Sequence, residues 1–303
     1  MIHTTNYGYY IGGGDVGISS SSIIVAGPFL CSANKGRLGN LMFEFASLTG
    51  IAALNNRTLI VGTGDYIYKV FDLKNVTVLD NRDVCNTFEV IEETLGCCKF
   101  DSTLMTLPRG KSFKIGLYLQ SWKYFQLVQD EIRRQYQFRD HIKEKARYLV
   151  NKIRASYVYK SPKLIGIHVR IGDIANEMHN YRGLVIAPEG YIYKAMDYTK
   201  ARFSDIIFVV ASDDLKWSRS VLSSRANDSI YFLEEGMPPE VDLAVLASCD
   251  HVIQTVGTFS WWAGFLSGGL SIYYPHPGRI GSPGEARYNY ADFFLPNWIP
   301  IDV

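Results

Sequence analysis

The stretch Gly36-Arg37-Leu38-Gly39-Asn40-Leu41-Met42-Phe43-Glu44-Phe45-Ala46 decides the fold, because of what flanks it. Before it, residues 23–30 are a short apolar run of strand length. After it, residues 40–55 place Leu41, Phe45, Leu48 and Ala52 at the spacing of one helical face. A strand, a turn with two glycines and a helix, in that order, open an α/β protein. The glycines admit a ligand close to the backbone, and the helix start offers free N–H groups and the positive end of its dipole. Such a turn suits phosphate, although turns of this kind also occur where nothing binds.

Outward from this unit the same alternation continues. Strands are expected at residues 58–61, 76–79 and 113–118, and helices at 122–136 and 140–153. Ser161-Pro162 interrupts the pattern. A second series follows, with strands at 164–169, 206–211, 229–233, 251–255 and 270–274, and helices at 188–202, 214–223, 240–248 and 260–266. The fold class expected is α/β, as two Rossmann-like domains with a ligand cleft between them. The divisions are a Gly- and Ser-rich segment 1–22, a first α/β domain 23–158 and a second 159–303.

Composition narrows the function. The 303 residues carry 31 basic and 30 acidic side chains, a net charge of +1, which argues against general nucleic-acid binding. An anionic ligand must then be met by a few placed groups. Aromatic side chains make up 14% of the chain, enough to fill a core or to stack on sugar rings and bases. Five cysteines (Cys31, Cys85, Cys97, Cys98 and Cys249) match no zinc spacing and read as buried thiols with room for one bridge. Sequons stand at Asn56-Arg57-Thr58, Asn75-Val76-Thr77 and Asn227-Asp228-Ser229; they permit a secretory setting without establishing one. No run approaches the ~20 apolar residues of a membrane span, and residues 1–22 lack the features of a signal peptide.

Three more turns fall at strand ends. Ile167-His168-Val169-Arg170-Ile171-Gly172-Asp173 offers an arginine fork to a diphosphate, with His168 and Asp173 placed to orient it; a buried Arg–Asp pair without function is the plain alternative. Ala211-Ser212-Asp213-Asp214 supplies carboxylates for a base or ribose, or a helix cap from Ser212 or Asp213. Thr255-Val256-Gly257-Thr258-Phe259-Ser260-Trp261-Trp262 leads into a helix with small hydroxyl residues, an anion cradle, while its two tryptophans more often pack than bind. Four such turns across two α/β units point to a nucleotide diphosphate in an interdomain cleft.

These blocks, in this order and spacing, resemble the α-1,2-fucosyltransferases. The Gly36 block looks like their Gly-Arg-Leu-Gly-Asn-Gln-Met-Phe, and His168-Val169-Arg170 with Asp173 their His-x-Arg-Arg-x-Asp. Residues 211–217 are similar to Ser-Asn-Asp-x-x-Trp, and residues 257–263 to Gly-Thr-Phe-Gly-Trp-Trp-Ala. The likeness spans about residues 30–275. It implies an inverting enzyme of the GT-B type, with an acceptor-side first domain and a GDP-fucose-binding second domain. It further implies fucose transfer from GDP-fucose to a galactose-type hydroxyl of a glycan, without a metal or other cofactor, in the Golgi lumen or membrane. Arg170 is then expected on the β-phosphate, with Arg37, Gly39, Asn40, His168, Asp173, Asp213, Gly257, Thr258, Phe259 and Ser260 around the donor. Glu177, in the polar loop that follows, is the candidate catalytic base, with a solvated loop glutamate as its plain alternative; Glu44 or transfer without a base stands in reserve. Two departures bear on activity: Ile171 replaces a second Arg, and Ser260 a frequent Gly. The alternatives are a catalytically silent GDP-fucose- or glycan-binding homologue and a fucosyltransferase of another linkage.

Overall fold

A computed structural model describes residues 27–158, 161–175 and 182–303. They build two sheets in which every paired strand is parallel. The first contains β1 (Phe29–Ser32), β2 (Thr58–Gly62), β3 (Thr77–Leu79), β4 (Glu89–Glu92) and β5 (Phe113–Gly116), in the spatial order β3-β2-β1-β5-β4. The second contains β6 (Lys163–Val169), β7 (Ile206–Ser212), β8 (Ile230–Phe232), β9 (His251–Gln254), β10 (Ser271–Tyr273) and β11 (Ile299–Pro300), in the order β11-β10-β9-β6-β7-β8. Read from β8, that is the order of a dinucleotide-binding sheet, with its reversal between β6 and β9. The first sheet reverses between β1 and β5. At such a reversal the connecting chains part, and a crevice opens at the carboxyl ends of the strands.

Strands β6 and β7 are near-continuous apolar runs because both faces of the sheet are covered. The covering helices are α1 (Leu38–Asn55), α2 (Tyr66–Val70), α3 (Gln129–Gln135), α4 (Asp140–Ala155), α5 (Glu189–Lys200), α6 (Leu215–Leu222), α7 (Pro239–Ala247), α8 (Thr258–Ser267) and α9 (Tyr290–Phe293). Helix α4 buries one stripe, Ile142, Ala146, Leu149 and Ile153, and leaves its charged side in water. Helix α1 is buried nearly all round. It lies between the first sheet and α8.

The expected elements need several corrections. The helix expected over 122–136 is instead a 3-10 segment, Trp122–Val128, followed by α3. The break is at Phe125 (φ −117°, ψ 18°), whose ring is fully buried; packing of that ring overrides the local helical pattern. Strands β4 and β11 were not expected. Both are short, and β4 alternates with charged residues and exposes Val90, so neither carries the apolar run of a buried strand. The run 23–30 contributes only its end to β1, and its first four residues lie outside the described residues. One disulfide, Cys31–Cys85, ties β1 to the turn before β4, and Cys97, Cys98 and Cys249 are free thiols.

A single aromatic core joins the two halves. Phe43 of α1 packs against Trp261 and Trp262 of α8 at centroid distances of 4.6 and 4.9 Å, and against Phe125 and Phe293. Both tryptophans are completely buried, so they pack. Residues 288–298 return to the first half. There Ser121 Oγ donates to Asp292 O (2.8 Å), Phe100 N donates to Asp292 Oδ2 (2.9 Å) and Lys123 Nζ pairs with Asp292 Oδ1 (2.6 Å). Among the described residues no helix is long and apolar enough to cross a membrane.

Phe43 therefore supports α1, α8 and the returning segment at once. Phe43→Ala should destabilise the protein by about 3–5 kcal/mol through lost burial and the cavity left behind. Urea unfolding measures this, and a loss under about 1 kcal/mol would show that the shared core is not what holds the halves together.

Candidate active site

The segments leaving β1, β6, β7 and β8 at their carboxyl ends line one cavity of about 530 Å³, a volume in the range of ligand sites. Helices α1 and α8 both begin at this cavity, so two sets of free backbone N–H groups and two positive dipole ends converge on it. Their first turns touch. A Cβ at Gly39 would lie 2.7 Å from Thr258 Oγ1 and 2.8 Å from Phe259 N, so only glycine permits the approach. Across this contact Thr258 Oγ1 donates to Asn40 Oδ1 (2.8 Å) and Trp262 Nε1 donates to Gly39 O (2.9 Å). Gln120, from the segment after β5, donates through Nε2 to the same Asn40 oxygen (3.1 Å).

Arg170 leaves the end of β6 at the sheet reversal. Its N–H donates to Thr255 Oγ1 (3.2 Å), and that hydroxyl donates to His168 O (2.9 Å), which stitches β6 to the end of β9. Gly257, the N-cap of α8, has φ 94°, a left-handed conformation open to glycine. A Cβ there would collide with the Arg170 guanidinium, so the guanidinium lies directly against the start of α8.

His168 lines the cavity with its ring on Phe259 (4.7 Å) and its Nδ1 at 2.6 Å from Ser260 Oγ. Burial, reinforced by the charges of Arg170 and Arg37, pushes its pKa down to about 3, so the imidazole is neutral at physiological pH. Ser260 is buried behind it and does not reach the cavity wall.

The acids divide by what they hold. Asp213 accepts the Ile171 N–H (2.8 Å). The cap of α6 is Asp214, which accepts Trp217 N–H (2.8 Å), rather than Ser212 or Asp213 as expected. Glu44 is buried, accepts the N–H groups of Asn34 (2.7 Å) and Lys35 (3.0 Å), and does not line the main cavity. It clamps the loop that leads into Gly36, and burial raises its pKa to about 7. Ile171 is buried in the apolar core of the second sheet, so the side chain at this departure from the family pattern points away from the ligand space.

Of the residues singled out in the sequence, Arg37, Gly39, Asn40, His168, Arg170, Asp213, Thr258 and Phe259 line the one cavity. Gly257 lies beneath Arg170, and Ser260 behind His168. Asp173 begins a short turn, Asp173–Ala175; its side chain, and Glu177 altogether, lie outside the described residues.

Three features of the cavity were not foreseen: Tyr66, the segment 234–237, and Asp242 of α7. Asp242 Oδ1 is buried and, among the described residues, has no hydrogen-bond partner. Burial, with the charge of Glu240 added, pushes the Asp242 carboxyl up to about 7. Tyr66 OH donates to Glu240 Oε2, a bond from the first half to the second beside the cavity. A signal for Asp242 did exist. It is an acid set among Val241, Leu243, Ala244, Val245 and Leu246, all buried, and a carboxylate in such a run needs a reason to be there.

A cationic fork and two helix starts at one place, and a carboxylate with an unused acceptor elsewhere on the same wall, suit a ligand that is anionic at one end and rich in N–H donors at the other. The model of the family described as "Glycosyl transferase family 11" matches residues 28–302. Mouse galactoside 2-alpha-L-fucosyltransferase Sec1 is 30% identical over 271 residues, which are 88% of this chain and 72% of the relative. Mouse galactoside alpha-(1,2)-fucosyltransferase 2 is 31% identical over 274 residues, 88% of this chain and 77% of the relative. Among solved structures, fucosyltransferase NodZ from Bradyrhizobium has a TM-score of 0.54 at 16% identity, over 86% of this chain and 97% of that one. FUT1 of Arabidopsis thaliana, solved as a variant in complex with GDP, has a TM-score of 0.54 at 15% identity, over 86% and 76%. The structural likenesses bear on the fold, which is α/β of the GT-B type. The chain belongs to glycosyl transferase family 11 and, within it, to the α-1,2-fucosyltransferases.

Proposed function

We propose that this chain transfers fucose from GDP-fucose to the 2-hydroxyl of a galactose-type acceptor, with inversion at the anomeric carbon. The reading is carried by the convergence of Arg170 and the starts of α1 and α8 on one cavity whose wall also holds the unspent Asp242 carboxylate. The diphosphate lies against the helix starts, where backbone N–H groups and the Arg170 fork meet the charge that grows on GDP as the glycosidic bond breaks. Guanine offers N1–H and N2–H side by side, a pair of donors that matches a carboxylate, and Asp242 with the 234–237 segment provides that end of the cavity. The neutral His168 packs Phe259 and Ser260 in place and adds no charge of its own. We place the chain in a lumenal Golgi setting, a reading that the Cys31–Cys85 bridge supports.

Charge on the diphosphate is met without a metal in this reading. Asp213 and Asp214, the adjacent acids at the end of β7, each spend an oxygen on a backbone N–H, of Ile171 and Trp217. Turnover should therefore persist in EDTA, and activity that vanished there and returned with Mg²⁺ or Mn²⁺ would overturn the point.

Arg170→Ala should lower turnover by roughly 10²–10³, the usual loss when a donor to developing charge is removed. Arg170→Lys should also be poor, because an ammonium lacks the two parallel N–H bonds of the fork. Retention of more than a tenth of wild-type turnover by the Ala variant would remove Arg170 from the donor site.

Asp242 sets a pH dependence. With its carboxyl near 7, the empty protein holds a proton there below that pH, and guanine binding must expel it. GDP affinity should rise about tenfold per pH unit up to about pH 7 and level off above it. The same shift makes the ligand-free fold less stable as pH climbs from the ordinary carboxylate range through 7, since the folded state binds the proton more tightly. Asp242→Asn should weaken GDP binding and flatten the profile. Calorimetric titration across pH 5.5–8.5 tests this, and an unchanged profile in the variant would refute the assignment.

A further inference from the structure

The three sequons take no part in the site described above, yet their placement follows one rule. Asn56 stands just before β2, Asn75 just before β3 and Asn227 just before β8. In a parallel sheet the amino ends of the strands lie opposite the carboxyl ends, so all three asparagines sit at the poles of the molecule remote from the cavity. All three are exposed. Asn56 closes α1 in a left-handed cap (φ 49°) and Asn75 is also left-handed (φ 54°), conformations that put both on tight turns at the surface. Among the described residues none of the three carboxamides makes a hydrogen bond. By contrast, the neighbouring Asn55 spends its amide on Ile51 O (2.8 Å) and Met105 O (3.1 Å), and Asn34 donates to Asp65 (3.0 Å).

Two of the three positions share a second property. Strand β3 is one edge of the first sheet and β8 one edge of the second. Strand β3 exposes Val78. An open edge with unpaired backbone groups is a template for pairing with another molecule unless something covers it.

We propose that Asn56, Asn75 and Asn227 carry N-linked glycans, and that those at Asn75 and Asn227 shield the β3 and β8 edges from edge-to-edge association. This rests on the lumenal setting proposed above. In the modification each asparagine Nδ2 gives up one proton and bonds to the anomeric carbon of the first sugar of a lipid-linked oligosaccharide. The lipid pyrophosphate leaves with the electrons of the broken bond. Because the attachment points lie at the amino ends of the strands, the glycans leave the donor cavity open.

The test uses the full chain purified from animal secretory cells. Glycosidase release in H₂¹⁸O, followed by peptide mass spectrometry, should convert residues 56, 75 and 227 to heavy-oxygen aspartate. The same samples, mapped without reduction, should contain the Cys31–Cys85 bridge. The double variant Asn75→Gln/Asn227→Gln should keep wild-type turnover but self-associate at several-fold lower concentration in light scattering. A chain with the bridge formed and no glycan would overturn the proposal while leaving the lumenal reading intact; a chain with neither would overturn both. Glycans at all three sites, with a double variant as monodisperse as wild type, would defeat the shielding role.

Discussion

Two helices begin at the same point, and the rest of the structure exists to keep them there. The starts of α1 and α8 each carry roughly half a positive charge, so bringing like ends into contact is unfavourable until an anion lies between them. The contact persists because Gly39 lets the backbones touch, Trp262 Nε1 donates to Gly39 O, and Thr258 and Gln120 both donate to Asn40 Oδ1. Arg170, laid against Gly257, adds a full positive charge to the same place. The arrangement is preorganised for a diphosphate: the field is built before the ligand arrives, and little has to move when it does.

Such a field needs a rigid support, and the aromatic core supplies one. Phe43 and the paired tryptophans stand directly behind the contact between the helix starts, and residues 288–298 fasten the far side through Asp292. The core is shared between the two sheets, so the cleft geometry is set by close packing and not by loops alone. Sites held on packed helices in this way keep their geometry better than sites on free loops.

The polar groups in and behind the cavity wall are governed first by burial and then by the positive field. His168 is kept neutral first by burial, which penalises its charged form, and then by the positive charges of Arg170 and Arg37. Glu44 has its two backbone donors and Asp213 its one, and both acids thereby shape the loops that present the turn and Arg170. Asp242 has no such partner and lies in a mostly apolar helix, and burial favours its neutral form until a donor pair comes to it. Desolvation is the largest cause of the shifts at His168, Glu44 and Asp242 alike.

Much of this was legible along the chain. The alternation of apolar runs with amphipathic segments, punctuated at Gly36, Gly39 and Ser161-Pro162, placed most strands and helices within a few residues. It also put Arg170, Thr258 and the Gly36 turn at strand ends. Periodicity and turn chemistry are local properties, and a sequence displays local properties directly. The 3-10 segment at 122–128, the edge strands β4 and β11, and the capping role of Asp214 were not legible, because each depends on neighbours supplied from elsewhere. The sequence by itself determined the order of the elements, the family, and which turns could receive an anion. Only the tertiary structure decided that Asn40 meets Thr258 across 218 residues, that position 39 admits no Cβ, and that Asp242 keeps an unshared oxygen at the cavity wall. Contact and desolvation belong to pairs of distant residues, and no single stretch of chain contains them.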